Sequence, residues 1–183
     1  MTRVGSRSTM SSTLKARRFW PLFLLVLLAD CATKRAAETH LVPAHVPHEI
    51  LGELVRLTLA YNPGAAMSIS LGSHSRLGFS ILALGALIIL GHMYRRTAPS
   101  DGLAAAGLAL IASGALGNLL DRLRSPRGVV DFIDLGIGDS RFWTFNVADV
   151  GITCGALLLV LALQRTANRD TPDLQSPAGG DGV

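Results

Sequence analysis

Cysteine, aromatic side chains and charged residues are all scarce in this sequence. Two cysteines in 183 residues, each inside an apolar run, exclude a disulfide framework. Aromatic residues make up 5%, which is too few for the stacking platforms of a nucleic-acid-binding protein, although the pI is near 9.7. Charged residues make up 16%, against roughly 25% in soluble domains. The composition therefore indicates a membrane protein and no nucleic-acid partner.

Long apolar runs stand where charge is missing, and the mean hydropathy is +0.40. Residues 77–94, 103–120 and 142–163 each approach the ~17–25 residues that a membrane helix requires. A fourth run, 19–37, reaches that length only if Asp30 and Lys34 are included. The sequence predicts an all-α membrane protein with four transmembrane helices.

The first run contains L-A-D-C at residues 28–31, which looks like the cleavage box of a bacterial lipoprotein. Such a box needs a small residue just before its cysteine, and Asp30 occupies that place. A secretory signal is also normally followed by a soluble domain rather than by further spans. A retained helix is therefore favoured over a signal peptide cut at Cys31.

Basic residues in the N-terminal tail predict the orientation. The tail carries five lysines and arginines and is expected to stay in the cytoplasm, so four spans return the C-terminus to the same side. Residues 1–18 and 164–183 are polar and are predicted to be disordered tails. Residues 19–163 are predicted to form the membrane domain.

Small residues recur every fourth position in two of the runs, where they allow membrane helices to approach closely. The third run has Ala105, Ala109, Ser113 and Gly117, and the fourth has Gly151 and Gly155. The alternative is that alanine and glycine are simply common here. Between the first two runs, alternating apolar residues on both sides of N-P-G at 62–64 predict a small extracytoplasmic β-hairpin at about residues 54–72.

Polar residues inside the runs converge at one depth. A charge at mid-helix costs roughly 2.5–3.5 kcal/mol on insertion scales, so each one requires a reason. At about 1.5 Å per residue, all of them fall in the outer half of the bilayer. They are Asp30, Lys34, Asn118, Asp121, Arg122, Asn146 and Asp149.

Asp131 and Asp149 are candidates for a catalytic pair. Asp131 lies in the apolar segment V-V-D-F-I at 129–133, near the same level. Two carboxyl groups held together away from bulk water share one proton, so one can activate water while the other protonates a carbonyl oxygen. The alternative is that basic residues merely balance these charges, as in a small transporter or an assembly subunit.

Five blocks of sequence in this order resemble the lipoprotein signal peptidase (signal peptidase II) family. They are D-x-x-T-K at 30–34, N-P-G-A-A at 62–66, G-N-L-L-D-R at 117–122, V-V-D-F-I-D at 129–134 and F-N-V-A-D at 145–149. The resemblance covers residues 22–163. Cys31, Ala32 and Met67 depart from the family's more usual residues, and the segment 124–127 is slightly longer than usual.

The resemblance implies a four-helix aspartic endopeptidase of the bacterial inner membrane. It would cut diacylglyceryl-modified prolipoproteins just before the lipidated cysteine, near the periplasmic face, and globomycin would inhibit it. The chain would act as a monomer in contact with membrane lipid, without a metal or a cofactor. Asp131 and Asp149 match the catalytic pair; the positions that match active-site support are Asp30, Lys34, Asn62, Gly64, Asn118, Asp121, Arg122, Asn146 and Ala148.

Two other protease motifs are incomplete. G-I-G-D at 136–139 resembles the G-x-G-D of another intramembrane protease class, but it lies among Gly and Ser residues that predict a turn. His48 and Glu49 begin an H-E-x-x-H zinc motif, but Gly52 occupies the place of the second histidine.

Overall fold

The computed structural model describes residues 5–64 and 74–170. This part of the chain folds into four helices and a four-stranded antiparallel sheet. In chain order the elements are α1 (Gly5–His40), β1 (His48–Leu51), β2 (Val55–Asn62), α2 (Ser75–Arg96), α3 (Gly102–Arg124), β3 (Val129–Ile137), β4 (Ser140–Arg141) and α4 (Val147–Asp170).

Within the described residues, three helices are long and apolar enough to cross a membrane: α2, α3 and α4. Their mean hydropathies are 1.9, 1.8 and 2.0. At about 1.5 Å per residue, each reaches the ~30 Å of a bilayer's hydrocarbon core. Three of the predicted spans are therefore helices of membrane-spanning length and composition. The first predicted span lies inside α1, which carries Asp30, Lys34 and Arg35 and is less apolar.

Both outer helices extend beyond the predicted spans. Where the sequence predicts disordered tails, α1 begins at Gly5 and α4 continues past residue 163 to Asp170, and residues 1–4 and 171–183 lie outside the described residues. Lys15 gives one physical reason. Its ammonium donates to the carbonyls of Tyr94 and Thr97 at 2.8 Å each, which satisfies C-terminal carbonyls of α2 and fixes the first helix there.

Helix α3 lies at the centre of the bundle and packs on the other three helices. Its four small residues at positions 105, 109, 113 and 117 are all buried, as their spacing predicted. The contact with α4 is close enough to exclude side chains. A Cβ added to Gly155 would lie 2.6 Å from the carbonyl oxygen of Gly107, and one added to Gly107 would lie 2.8 Å from that of Gly155.

The sheet order is β1-β2-β3-β4, with β2 paired to both β1 and β3. The strand predicted on the N-terminal side of N-P-G is confirmed as β2. Its predicted hairpin partner, which includes Met67, lies outside the described residues. In the described chain β2 pairs instead with β1 and with β3, where Ala60 is opposite Asp131.

Residues 142–146 are extended rather than helical, so α4 begins at Val147 and the predicted start at Phe142 is wrong. The backbone explains the difference. Phe145 accepts N–H bonds from Phe132 and Ile133 and donates to Ile133, which ties this segment to β3. The G-I-G-D segment forms the turn between β3 and β4, as predicted.

An apolar cluster attaches the sheet to the C-terminal end of α1. It consists of the buried residues Ala37, Leu41, Leu59, Val130 and Phe132. Because Val130 and Phe132 flank Asp131, this packing fixes β3 and holds the carboxyl-bearing residue between the sheet and the helices.

Replacing Gly155 with Ala should destabilise the protein by about 1–3 kcal/mol, the usual cost of overpacking. The added methyl group would overlap the backbone of α3, which cannot retreat without separating the two helices. The measurement is the thermal unfolding midpoint in detergent. Gly91→Ala is the matched control, since nothing lies within 4 Å of its added Cβ. Equal midpoints for the two variants would contradict the close α3–α4 contact.

Candidate active site

Asn146 and Asp149 cap the N-terminus of α4 by a pair of reciprocal bonds. The side-chain oxygen Oδ1 of Asn146 accepts the N–H of Asp149 at 3.0 Å, and Oδ2 of Asp149 accepts the N–H of Asn146 at 3.1 Å. This is a capping box with an aspartate at its third helical position. The helix dipole favours a negative charge there. The cap therefore fixes the Asp149 carboxylate at the N-terminus of α4.

The same asparagine also holds Asp131. Its amide nitrogen Nδ2 lies 2.7 Å from Oδ1 of Asp131, 3.2 Å from the carbonyl oxygen of Val130 and 3.1 Å from Oδ1 of Asn118. Asn146 is fully buried, so it has no water to exchange for these partners. One buried residue therefore contacts both candidate carboxyl groups, that of Asp131 through its side-chain amide and that of Asp149 through its backbone N–H.

A second amide contacts each carboxyl group. Asn62 donates from Nδ2 to Oδ2 of Asp131 at 3.2 Å, and Asn118 donates from Nδ2 to Oδ1 of Asp149 at 2.9 Å. The carbonyl of the Asn62 side chain accepts the N–H of Gly64 at 3.0 Å. This bond fixes the turn after β2 and sets which atom of Asn62 faces Asp131.

Burial, together with the negative charge of Asp149, raises the pKa of Asp131 to about 7. The amides of Asn62 and Asn146 and the charge of Lys34 act against this increase. Asp131 is only 3% exposed, so desolvation outweighs them. Asp131 is consequently protonated mainly below about pH 7.

Lys34 carries a buried positive charge near the two carboxyl groups. Its ammonium lies 2.8 Å from Oδ2 of Asp30, 2.8 Å from Oδ2 of Asp121 and 2.8 Å from Oδ1 of Asn118. The contact with Asn118 is a hydrogen bond, and the two carboxylates form ion pairs with the ammonium. Through them, Lys34 joins α1 to α3 and orients the amide that contacts Asp149.

The two acids bound to Lys34 also reach the backbone of the remaining elements. Oδ1 of Asp30 accepts the N–H of Ala148 at 2.9 Å, which satisfies a free donor at the start of α4. Oδ2 of Asp121 accepts the N–H of Val130 at 3.3 Å, beside Asp131. The segment that resembles a cleavage box is thus the part of α1 that positions α4.

Arg122 connects the end of β2 to α3. Its guanidinium donates to the carbonyl of Gly64 at 3.0 Å and to that of Asn118 at 3.1 Å. The guanidinium also lies over the ring of Phe79 of α2, 5.8 Å from its centre. These contacts place a positive charge next to the turn that carries Asn62.

The structure thus brings all of the sequence-predicted site residues into one connected cluster: Asp30, Lys34, Asn62, Gly64, Asn118, Asp121, Arg122, Asp131, Asn146, Ala148 and Asp149. The sequence reasoning missed the backbone of Val130, which both donates to and accepts from this cluster. A backbone role leaves no signal in residue type.

The other acids of the same region are outside the cluster. Asp134 pairs with Arg141 at 2.8 Å and accepts the hydroxyl of Thr58, whereas Asp139 is exposed on the β3–β4 turn. Across residues 5–64 and 74–170, no group of three His, Cys, Asp or Glu side chains could hold a metal ion.

Comparison with known proteins gives one consistent result. A family model described as signal peptidase (SPase) II matches residues 22–165. A lipoprotein signal peptidase from Coxiella burnetii (strain Dugway 5J108-111) is 40% identical over 162 residues, which cover 84% of this chain and 96% of that protein. One from Hydrogenovibrio crunogenus is 40% identical over 147 residues, covering 77% and 81%. One from Francisella tularensis subsp. novicida is 35% identical over 148 residues, covering 79% and 90%.

Two solved structures, both titled as bacterial membrane enzymes, share the fold. One has a TM-score of 0.73 at 29% identity and covers 82% of this chain and 90% of its own. The other has a TM-score of 0.69 at 30% identity and covers 82% and 92%.

Replacing Lys34 with Met should destabilise the fold by about 3–5 kcal/mol, because the carboxyl groups of Asp30 and Asp121 would remain buried without their cation. The measurement is the thermal midpoint in detergent at neutral pH. Arg35→Met is the control on the same helix, since the side chain of Arg35 is 84% exposed and should contribute little. A Lys34→Met variant as stable as this control would show that the buried cation does not hold the helices together.

Proposed function

The chain belongs to the signal peptidase II family of bacterial membrane proteases, and from that premise we propose that Asp131 and Asp149 are its catalytic pair. Its activity is the removal of signal peptides from prolipoproteins. The observation that carries the proposal is the single buried asparagine, Asn146, that contacts both carboxyl groups. This arrangement supports an aspartic mechanism, in which the pair acts on a water molecule admitted between its members.

The two environments support different roles for the two acids. Asp149 accepts an N–H on each oxygen at the positive end of α4, and this position suits a general base. Asp131, whose pKa is about 7, suits a general acid. Asp149 would take a proton from water while Asp131 gives its proton to the carbonyl oxygen of the scissile bond.

The resulting tetrahedral intermediate would collapse in the reverse sense. Asp149 would pass its new proton to the leaving amine as the C–N bond breaks, and Asp131 would recover a proton from the hydroxyl that becomes the new carboxyl group. Each acid would then be back in its starting state. The two acids would be held in position by four side chains, those of Asn62, Asn118, Asn146 and Arg122. These would in turn be held by the buried ion pairs of Lys34 with Asp30 and Asp121.

We propose four membrane spans, with α1 as the first from Phe19 onward, both termini in the cytoplasm and the site at the periplasmic face of the inner membrane. Apolar side chains on the sheet support this placement: Ile50, Leu51, Leu54 and Ile137 are exposed, as are Phe142 and Trp143. Such residues, especially Trp, suit a membrane–water interface. Lys15, Arg18, Arg95, Arg96 and Arg165 lie toward the other end of the helices, as expected of a cytoplasmic side.

The substrate would be a diacylglyceryl-modified prolipoprotein, cut before its lipidated cysteine. An extended chain could lie against the sheet, since β3 carries Asp131 and β2 carries Asn62. All of the site residues come from one chain, which supports a monomer with residues 19–163 as the peptidase domain. A transporter or assembly subunit is not favoured, because the matched relatives are peptidases.

Asp131→Asn and Asp149→Asn should each reduce cleavage of a diacylglyceryl-modified prolipoprotein by at least about 10²–10⁴-fold. Each replacement keeps the size of the side chain but removes an acid or a base. Cleavage is followed in detergent by the mobility shift of the product, with thermal midpoints to establish that the variants fold. Asp139→Asn, on the exposed turn, is the control. Folded variants that still cleave at the parent's rate would overturn the pair.

Cleavage should fall as the pH rises through about 7, because Asp131 then loses the proton that it must donate. This fall in rate is the alkaline limb of the pH profile, and removing the Asn62 amide should move it to higher pH. That amide stabilises the charged form of Asp131, so Asn62→Ala raises the pKa further. The measurement is kcat/KM against pH for the parent, Asn62→Ala and Asp139→Asn. A limb that moves to lower pH in Asn62→Ala, or that is absent in the parent, would contradict the assignment.

A further inference from the structure

A polar cavity lies at the end of the helices opposite the two carboxyl groups. Its volume is about 700 Å³, and it is lined by Arg18 of α1, by Ser100 and Asp101 before α3, and by Arg165 and Thr166 of α4. Along α4, Arg165 is about 24 Å from Asp149 at 1.5 Å per residue. The cavity is thus a separate place in the fold, which peptide-bond hydrolysis does not use.

Two guanidinium groups from different helices face this cavity without a counter-ion. In the described part of the chain, neither Arg18 nor Arg165 forms an ion pair with an acidic side chain. Arg18 lies against α3: a Cβ built on Gly102 would overlap its Nη1 and would lie 3.2 Å from its Cδ. The absence of a side chain at position 102 therefore lets the guanidinium rest on the start of α3.

The remaining charge of the cavity is one carboxylate. Asp101 accepts the N–H of Ala104 at 2.9 Å, as the cap of α3. Two guanidinium groups and one carboxylate leave a net charge of +1, which one singly charged anion would balance. Lys15 is not among the residues that line the cavity, and its ammonium donates to the carbonyls of Tyr94 and Thr97.

The position of the cavity indicates which kind of anion it would bind. Arg18 directly precedes Phe19 and Trp20, and Trp20 is 50% exposed, as expected of an aromatic residue at the membrane–water interface. The cavity is therefore at the depth of the lipid headgroups. Guanidinium groups bind phosphate oxygens in a bidentate manner, and the hydroxyls of Ser100 and Thr166 can donate to the same group.

We propose that this cavity binds the phosphodiester of an anionic phospholipid such as phosphatidylglycerol, in the leaflet opposite the peptidase site. A phosphodiester carries the single negative charge that the cavity requires. The acyl chains would lie along the apolar surfaces of α1 and α4. The headgroup would join α1, α3 and α4 at the end where the Lys34 cluster is absent.

The test uses lipids with brominated acyl chains, which quench nearby tryptophan. The chain has two tryptophans, and Trp143 lies at the sheet end, so Trp143→Phe leaves Trp20 as the reporter. The protein is reconstituted into phosphatidylcholine vesicles that contain brominated phosphatidylglycerol or, in parallel, brominated phosphatidylcholine at the same mole fraction. We expect about a tenfold preference of the site for the anionic lipid.

The double variant Arg18→Gln, Arg165→Gln should lose this preference, and Arg18→Lys, Arg165→Lys should retain part of it. The matched control is Arg95→Gln, Arg96→Gln, which removes two charges at the same end but away from the cavity and should keep the preference. Thermal midpoints establish that each variant folds. Equal quenching by the two lipids in the parent, or equal losses in the Gln variant and the control, would overturn the proposal.

A final arm separates a lipid from a soluble phosphate. Sodium phosphate is added at constant ionic strength to the vesicles with brominated phosphatidylglycerol. Quenching that persists supports the lipid phosphodiester. Quenching that millimolar phosphate abolishes, while equivalent chloride does not, would assign the cavity to a soluble anion and overturn the lipid assignment. None of these readouts depends on cleavage.

Discussion

A buried ammonium among apolar helices is costly unless it is paired and hydrogen-bonded, and Lys34 meets this requirement with partners from its own helix and from α3. Its three partners are Asp30, Asp121 and Asn118. Each partner in turn binds another element: α4 through Ala148, β3 through Val130, and Asp149. One charge therefore sets the relative positions of α1, α3, β3 and α4, all of which supply the site.

The inner part of the candidate site, around the two carboxyl groups, contains amides rather than charges. Asn62, Asn118 and Asn146 donate to the two carboxyl groups without adding positive charge next to them. A cation in direct contact would favour loss of both protons, whereas amides leave burial as the dominant influence on Asp131. The charged groups around Lys34 are separated from the carboxyl group of Asp131 by neutral amides, and this separation is consistent with a pKa of about 7 for Asp131.

Much of this was predictable from residue type and spacing. Polar residues in apolar runs are expensive, so their common depth predicted that they meet, and every predicted site residue lies in the cluster. The strand that carries Asp131 was not predicted, because V-V-D-F-I-D is buried along most of its length and lacks the alternation of a half-exposed strand. The start of α4 was placed too early, since apolar residues 142–145 look the same whether they extend a helix or pair with β3.

If Asp131 and Asp149 act as a pair, the charge of Asp149 raises the pKa of Asp131, and infrared difference spectroscopy can measure this effect. Subtracting the spectrum of Asp131→Asn isolates the carboxyl group of Asp131 in the intact chain. We expect the carbonyl stretch of a protonated acid at mildly acidic pH, lost with a midpoint near pH 7, and a lower midpoint when Asp149 is replaced by Asn. An Asp131 that is ionised throughout this range, or whose midpoint is the same without the charge of Asp149, would show that the two acids do not act as a pair.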